Sequence, residues 1–447
     1  MADHTDQVRL QLIQGIKNAR QLIENIGISQ PTLSRAISGM GDEIIRLGAA
    51  RSIQYALRDG RRGLGNVPVY RVAADGKIKN LGMLSPVCPD GFVMLQADGV
   101  TLHSDSLPWW LLDMRPQGFI GRAYATRHAA ALGLPARLAE WSDADVLRVL
   151  MAHGHDAVGN LLLGDAARDR FIEAPPPELI DMRAKPEAYL RRAHDAARGD
   201  IPGSSAGGEQ PKFLAFVETP NGPRHVLVKF SLPDINPVTE RWGDLLLAEH
   251  HALATLAAFG ISAANSSVID HGKQRFLEVE RFDRVGVLGR RGLFSLMAVE
   301  AEFVGAATSP WPIITARLAA DGYITREAAD GAALLYAFGT LIGNTDMHNG
   351  NLSFTSEHGR PYELAPAYDM LPMGFAPRSG GGLPDTLAPA NLRSCVNADT
   401  WGRALALADD FLDRIREDAR FSGDFQACID ALAAHLGSAH DKMLRLG

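Results

Sequence analysis

The stretch LLYAFGTLIGNTDMHNGNLSF, residues 334–354, sets the hardest constraint on this chain. An apolar, helix-forming run ends at Gly343 and gives way to Asn, Asp, His and further Asn before a strand-like LSF. Polar groups this dense at the end of a core helix are costly to bury unless each finds a partner. The segment is therefore either a solvated turn or a site.

The rest of the chain narrows the choice. A length of 447 residues points to two or three domains, and 46% apolar with 22% charged residues suits a globular protein with a real core. No apolar run is long enough for a membrane span, and MADHTDQVRLQL lacks the layout of a secretory signal, so a cytoplasmic protein is expected. Cys88, Cys395 and Cys428 are too scattered for a metal pattern and fit inert thiols in a reducing compartment. Charge is uneven. Residues 1–65 hold nine Lys/Arg against six Asp/Glu, so the remainder carries −10 of the total −7. A small basic head on an acidic body hints at nucleic-acid binding by the head.

Within that head, ARQLIENIGISQPTLSRAISGM (19–40) reads as two short amphipathic helices joined at Gly27. Ser29 is a good N-cap for the second helix, and Pro31 falls in its first turn. The pattern resembles the helix-turn-helix of bacterial transcription regulators. By that resemblance Gln30, Thr32, Ser34 and Arg35 would face the major groove. The following DEIIRLGAARSIQYALRDGRR (42–62), with Arg46, Arg51, Arg58, Arg61 and Arg62, is either a wing on the DNA backbone or part of a helical protein-binding domain with a basic face.

Residues 66–130 turn strand-like, with VPVYRVAADGKIKNLGML read as two strands around an Asp-Gly turn and LPWWLLDMRPQGFIGRA as a packing segment. HGHD (153–156) lacks a third group for a metal, and PPPELIDMRAKP (175–186) marks a loop or seam. SSAGGEQPKFLAFVETPNGPRHVLVKF (204–230) reads as a small-residue loop feeding a hairpin, with Lys212 at the loop's end and Lys229 at the end of the second strand. Backbone N–H groups of such a loop can cradle phosphates, with two cations converging, or the lysines can simply be solvated. Glu249 sits on a predicted helix at 241–261, and a helix carboxylate near a strand lysine is how kinases fix their phosphate-binding Lys. QRFLEVERFDR (274–284) is a strand leading into a charged segment able to hinge two lobes.

Asp346 and Asn351 stand five apart, the D-x-x-x-x-N spacing of a kinase catalytic loop. There the Asp accepts the attacking hydroxyl's proton and the Asn holds Mg²⁺. Eighteen residues on, APAYDML supplies Asp369 as a second oxygen ligand for a metal that bridges ATP phosphates.

Taken in order, SSAGGEQPK, LVKF, VERFDR, GNTDMHNGN and APAYDM resemble the HipA family, the serine/threonine kinase toxins of bacterial toxin–antitoxin systems. The resemblance covers residues 66–440 and implies a two-lobed, kinase-like fold there; with the head read from its own residues, an α+β chain in three parts is expected. These are a helix-turn-helix domain at 1–65, a β-rich N-lobe at 66–283, and a kinase-like, helical C-lobe at 284–447. It implies ATP and Mg²⁺ as cofactors. Asp346 would be the catalytic base, Asn351 and Asp369 the Mg²⁺ ligands, and Lys212 and Lys229 the phosphate contacts. Glu280 and Phe282 would lie at the adenine hinge, Ser205 or its neighbour Ser204 would be self-phosphorylated, and His348 would order the loop.

Two features depart from the family. The phosphate loop is GGEQPK rather than GxQxK, which adds the charge of Glu209. The chain also carries its own helix-turn-helix, as stand-alone YjjJ-type members do, where ordinary members borrow one from an antitoxin. The expected function is a protein kinase acting on a translation protein such as an aminoacyl-tRNA synthetase, with DNA bound by the head, a dimer as the expected assembly, and the need for a separate antitoxin left open. Two other readings stand beside it: a DNA-binding regulator whose kinase-like body only senses nucleotide, and a small-molecule phosphotransferase.

Overall fold

The computed structural model describes residues 4–48, 53–197, 210–357 and 359–446. Helices Ala19–Ile26 and Gln30–Met40 form where the sequence places them, joined through Gly27 at φ 75°. Their starts are fixed by side chains. Asn18 accepts from the Gln21 N–H, and Ser29 accepts from the Thr32 N–H with Pro31 beside it in the first turn. Leu22, Leu33, Ile37 and Met40 close on Val8 and Leu12 of helix His4–Ile13 in a small core of their own.

The arginine-rich stretch that follows forms strands Ile44–Leu47 and Gln54–Leu57, paired antiparallel. Two of its arginines, Arg58 and Arg62, are engaged with the next sheet. Arg61 and Arg62 both clamp the buried Asp59, at 2.9 and 3.2 Å. Arg62 also donates to the Val87 and Gly91 carbonyls at 2.8 and 2.7 Å, and Arg58 donates to Ser85 at 3.1 Å. Arg58 and Arg62 thus dock the head onto the next sheet, while Arg61 keeps two thirds of its side chain exposed. Arg46 is exposed, and Arg51 lies outside the described residues.

Residues 66–283 contain two five-stranded sheets. The first includes the expected hairpin, Val67–Val72 against Ile78–Pro86, turning at Asp75–Gly76. The second runs, in spatial order, Ser266–His271, Gln274–Glu280, Gly222–Phe230, Lys212–Thr219 and Leu179–Ile180. Its two faces are covered by different helices. Lys185–Ala197 packs Tyr189 against Phe213, Val228 and Phe276, while Pro237–Ala258 packs Leu246 against Leu277 and Val279. On the first face the Lys185 ammonium is buried against Glu278 at 2.8 Å, and the Tyr189 hydroxyl donates to the same carboxylate.

Beyond the hinge the chain is mainly helical. Trp311–Ala320, Arg326–Leu341, Ala398–Glu417 and Gln426–Leu446 share one apolar core with Pro237–Ala258, built around Trp311, Phe338 and Phe411. Trp109, from the segment read as packing, joins its edge with ring centroids 5.0 Å from Phe294 and 5.2 Å from Phe303. The result is a two-lobed, protein-kinase-like body. A three-stranded sheet, Gly292–Ser295, Ser353–Ser356 and Glu363–Leu364, interrupts the helices and anchors the loop after residue 341. No helix among the described residues is long and apolar enough to cross a membrane.

Two predictions arise from this packing. A Cβ on Gly289 would lie 2.0 Å from the Ala74 carbonyl oxygen and 2.6 Å from that of Val285. Both obstacles are backbone, so Gly289→Ala is expected to cost about 1–3 kcal/mol, read from a lower denaturant midpoint. The second concerns half-buried imidazoles. Burial, aided by His251, holds His250 down to about 4 from 6.5. Burial, aided by His128, does the same to His153, again to about 4. The neutral forms belong to the fold, so their stabilisation is complete above pH ~6.5 and drains as pH falls towards 4. Each group is worth on the order of 1–2 kcal/mol after solvent screening. Unfolding midpoints measured between pH 7 and 4.5 should fall less steeply in His250→Asn than in wild type.

Candidate active site

Helix Arg326–Leu341 starts on Thr325, whose hydroxyl accepts from the Ala328 N–H. It ends where Gly343, at φ 76°, turns the chain out of the core. Asn344, 5% exposed, then organises the loop from inside. Its Oδ1 accepts from the Asp346 N–H at 3.0 Å, and its Nδ2 donates to the Asp369 carbonyl at 3.4 Å. The Asp346 carbonyl in turn accepts from the His348 N–H at 2.9 Å and from Asn351 Nδ2 at 2.8 Å. His348 Nδ1 accepts from the Gly350 N–H at 3.0 Å, the ordering contact expected of it. Tyr368 closes the loop from the far side, its hydroxyl on the Gly350 carbonyl at 2.9 Å and Ser353 Oγ at 2.6 Å. Every one of these bonds to residue 346 uses its backbone, and the Asp346 side chain is left exposed.

Lys229, at 3% exposure, meets two carboxylates from well-separated parts of the sequence. Its Nζ donates to both Glu249 oxygens at 2.6 and 2.7 Å and also contacts Asp369 Oδ1. Glu249 comes from helix Pro237–Ala258, laid across the sheet face that carries Lys229. Asp369 stands at φ 51°, and it alone among the described non-glycine residues has a positive φ. Such a conformation costs on the order of 1–3 kcal/mol and persists only where the surroundings impose it.

Burial opposes the Lys229 charge, but Asp369 and Glu249 overcome it and hold the lysine above its ordinary range. Burial likewise opposes the Asp369 charge, and Lys229 followed by Lys212 brings that carboxyl below its ordinary value. Glu249, more deeply buried, is pushed up. Lys212 is directly opposite Lys229 in the strand register and equally buried, so the two lysines share one face.

The hinge residues separate. Phe282 comes within 5.7 Å of the Tyr368 ring, beside Asp369. Glu280 ends the strand Gln274–Glu280 with its carboxylate on Asn265 Nδ2 at 3.0 Å, so its side chain is committed to the sheet edge. Ser204 and Ser205 lie outside the described residues. At HGHD, Asp156 pairs with Arg284 at 2.9 Å and His153 Nδ1 meets the Tyr124 hydroxyl at 2.6 Å.

The donor set fits a hard divalent cation. Asp369 is held ionised, and Asn351 spends its Nδ2 on the loop, which frees its carbonyl oxygen. Two oxygens on a site otherwise completed by phosphates and water suit Mg²⁺. Sequence reasoning passed over Asn344 and Tyr368. Asn344 carries a readable signal, an Asn two residues before a turn residue whose N–H it accepts from. Tyr368 carries none beyond adjacency to Asp369.

Comparison with known proteins settles the lineage. The family model described as the HipA-like C-terminal domain matches residues 204–432, and that of the YjjJ-like toxin middle domain matches 64–172. Toxin YjjJ of Escherichia coli (strain K12) is 40% identical over 438 residues, 98% of either chain. The chain belongs to the HipA-like toxin family. Its fold agrees with a solved HipA from Shewanella oneidensis MR-1, in a toxin–antitoxin complex with HipB and operator DNA. That match has a TM-score of 0.56 at 17% identity and covers 85% of this chain and 97% of the other. The match to the HipA-like C-terminal domain takes in the whole site, from Lys212 to Asp369.

Proposed function

We propose that this HipA-like chain is an ATP- and Mg²⁺-dependent protein serine/threonine kinase with a DNA-binding head. The observation that carries the reading is Lys229, gripped by Glu249 and Asp369 beneath a loop that presents Asp346 and Asn351. A lysine fixed by a helix carboxylate, a metal-binding Asp and a D-x-x-x-x-N loop are the parts phosphoryl transfer needs, because the reaction is mostly positioning and charge stabilisation. Mg²⁺ on Asp369 and Asn351 would neutralise phosphate charge. Lys229 and Lys212 bind the phosphates, Phe282 flanks the adenine at the hinge, and Asp346 orients the acceptor hydroxyl and takes its proton. Transfer of labelled γ-phosphate from ATP into the purified protein or a lysate band tests this, with Asp346→Asn alongside. Label absent from wild type as well as mutant would leave the nucleotide-sensing regulator as the better reading. Phosphopeptide mapping of the same sample tests self-phosphorylation at Ser205 or Ser204.

The head supports DNA binding by geometry and by analogy with the operator complex of the HipA relative. Gln30, Ser34 and Arg35 are exposed along one helix, while Thr32 Oγ1 is drawn to Ser29 Oγ at 2.9 Å and serves the cap. Arg35→Ala is expected to weaken operator binding by about 1–3 kcal/mol if it reads a base, or to lower the salt slope by about one if it holds a phosphate. Gel-shift titration at several salt concentrations against the chain's own upstream DNA distinguishes them. A translation protein as substrate, a dimer on two half-sites and a cytoplasmic site of action complete the proposal.

A further inference from the structure

A second charged centre lies between the middle domain and the kinase-like sheet. Four arginines, Arg192, Arg281, Arg284 and Arg290, line a cavity of about 310 Å³ together with Asp156 and Glu178; Arg192 is paired with Glu178 at 3.1 Å. None of Lys212, Lys229, Glu249, Asp346, Asn351 or Asp369 reaches it. Asp283 is shared by Arg281 at 2.8 Å and Arg284 at 2.6 Å, and Asp156 is taken by Arg284 at 2.9 Å. Arg290 is left over, no nearer than 4.0 Å to Asp156.

That arginine is 5% exposed and held rigidly. Its backbone N–H donates to the Ala73 carbonyl at 3.1 Å, and its guanidinium sits 4.6 Å from the centre of the Phe171 ring. One terminal nitrogen donates to the His155 carbonyl, and the other, Nη1, has no hydrogen-bond partner among the described residues. His155 Nδ1, on the same wall, is equally without one. A water molecule would satisfy the N–H but not the surplus charge. Leu214, Phe216, Val287 and Leu288 give the cavity an apolar side, next to the Arg192–Glu178 pair and His225.

The geometry points to a binding site for a small organic anion, with a carboxylate or phosphate head on Arg290 and an apolar or aromatic body against Phe216 and Val287. A fixed guanidinium fork recognises planar or tetrahedral oxyanions, and a pocket of this size accepts a ligand of about one ring. Burial, with the nearby Arg284 charge, also pulls Arg290 down to about 9, as expected of a cation short of counter-charge. This site is independent of the kinase reading, since its lining and its test involve no phosphoryl transfer.

Calorimetric titration of the full chain at low salt tests it, with phenyl phosphate, benzoate and uncharged benzyl alcohol as probes. Phenyl phosphate or benzoate should bind wild type and Lys212→Gln alike and weaken about tenfold or more in Arg290→Met. Which of the two binds tells phosphate from carboxylate. Val287→Trp, which fills the cavity from its exposed rim, should lose binding too and decides the matter if Arg290→Met does not fold. Equal binding by Arg290→Met and wild type, equal binding of benzyl alcohol, loss confined to Lys212→Gln, or no binding to wild type would each overturn the proposal.

Discussion

Asp346→Asn is expected to keep the fold and the ATP affinity of the wild-type chain while γ-phosphoryl transfer falls by roughly 10²–10⁴-fold. The split follows from how the loop is built. Residue 346 is held through its N–H, on Asn344 Oδ1, and through its carbonyl, on Asn351 Nδ2 and the His348 N–H. Asn retains all three bonds, since none involves the side chain. What it loses is a carboxylate able to accept a proton. Label transfer, calorimetric ATP titration and circular dichroism on the two proteins check the three parts of the statement. Transfer within a few-fold of wild type would assign the base elsewhere; lost ATP binding would assign Asp346 to the nucleotide.

Lys229→Met is expected to abolish ATP binding and to cost about 3–5 kcal/mol in stability, because it strands Glu249, which is fully buried, beside Asp369. Removing one member of a buried ion pair leaves the other charge with neither water nor partner. Glu249 recovers part of the loss by taking up a proton, a tendency it already has, since burial pushes it up. Lys229→Met combined with Glu249→Leu should therefore regain most of the stability and none of the ATP binding. Denaturant unfolding of the single and double variants measures this. A single variant as stable as wild type would mean that the cluster is better solvated than its geometry implies.

These two results separate what each residue does from where it comes from. The caps and turns of the head were legible because they are local. Ser29, Pro31 and Gly27 act on backbone within three residues of themselves, and the two helices form between them. The D-x-x-x-x-N spacing was legible for the same reason, as Asn351 bonds the carbonyl of residue 346 within a single loop. The arginines of 42–62 show the opposite case. Their charge suggested DNA, but Arg62 is also claimed by the Val87 and Gly91 carbonyls, and those partners become its neighbours only once the head docks on the next sheet.

By itself, then, the sequence determined the elements whose cause is local: helix starts, glycine turns, strand alternation and a loop with its own hydrogen bonds. The tertiary structure alone decided which charges meet. Lys229 joins Glu249, 20 residues away, and Asp369, 140 residues away, only because a helix crosses the sheet and the C-lobe bends residue 369 to a positive φ. It likewise left Arg290 buried between two domains, 4.0 Å from Asp156 and with Nη1 unpartnered among the described residues. Hydrogen bonds and caps are short-range and leave a mark in neighbouring residues, whereas the energy of a buried charge depends on everything packed around it.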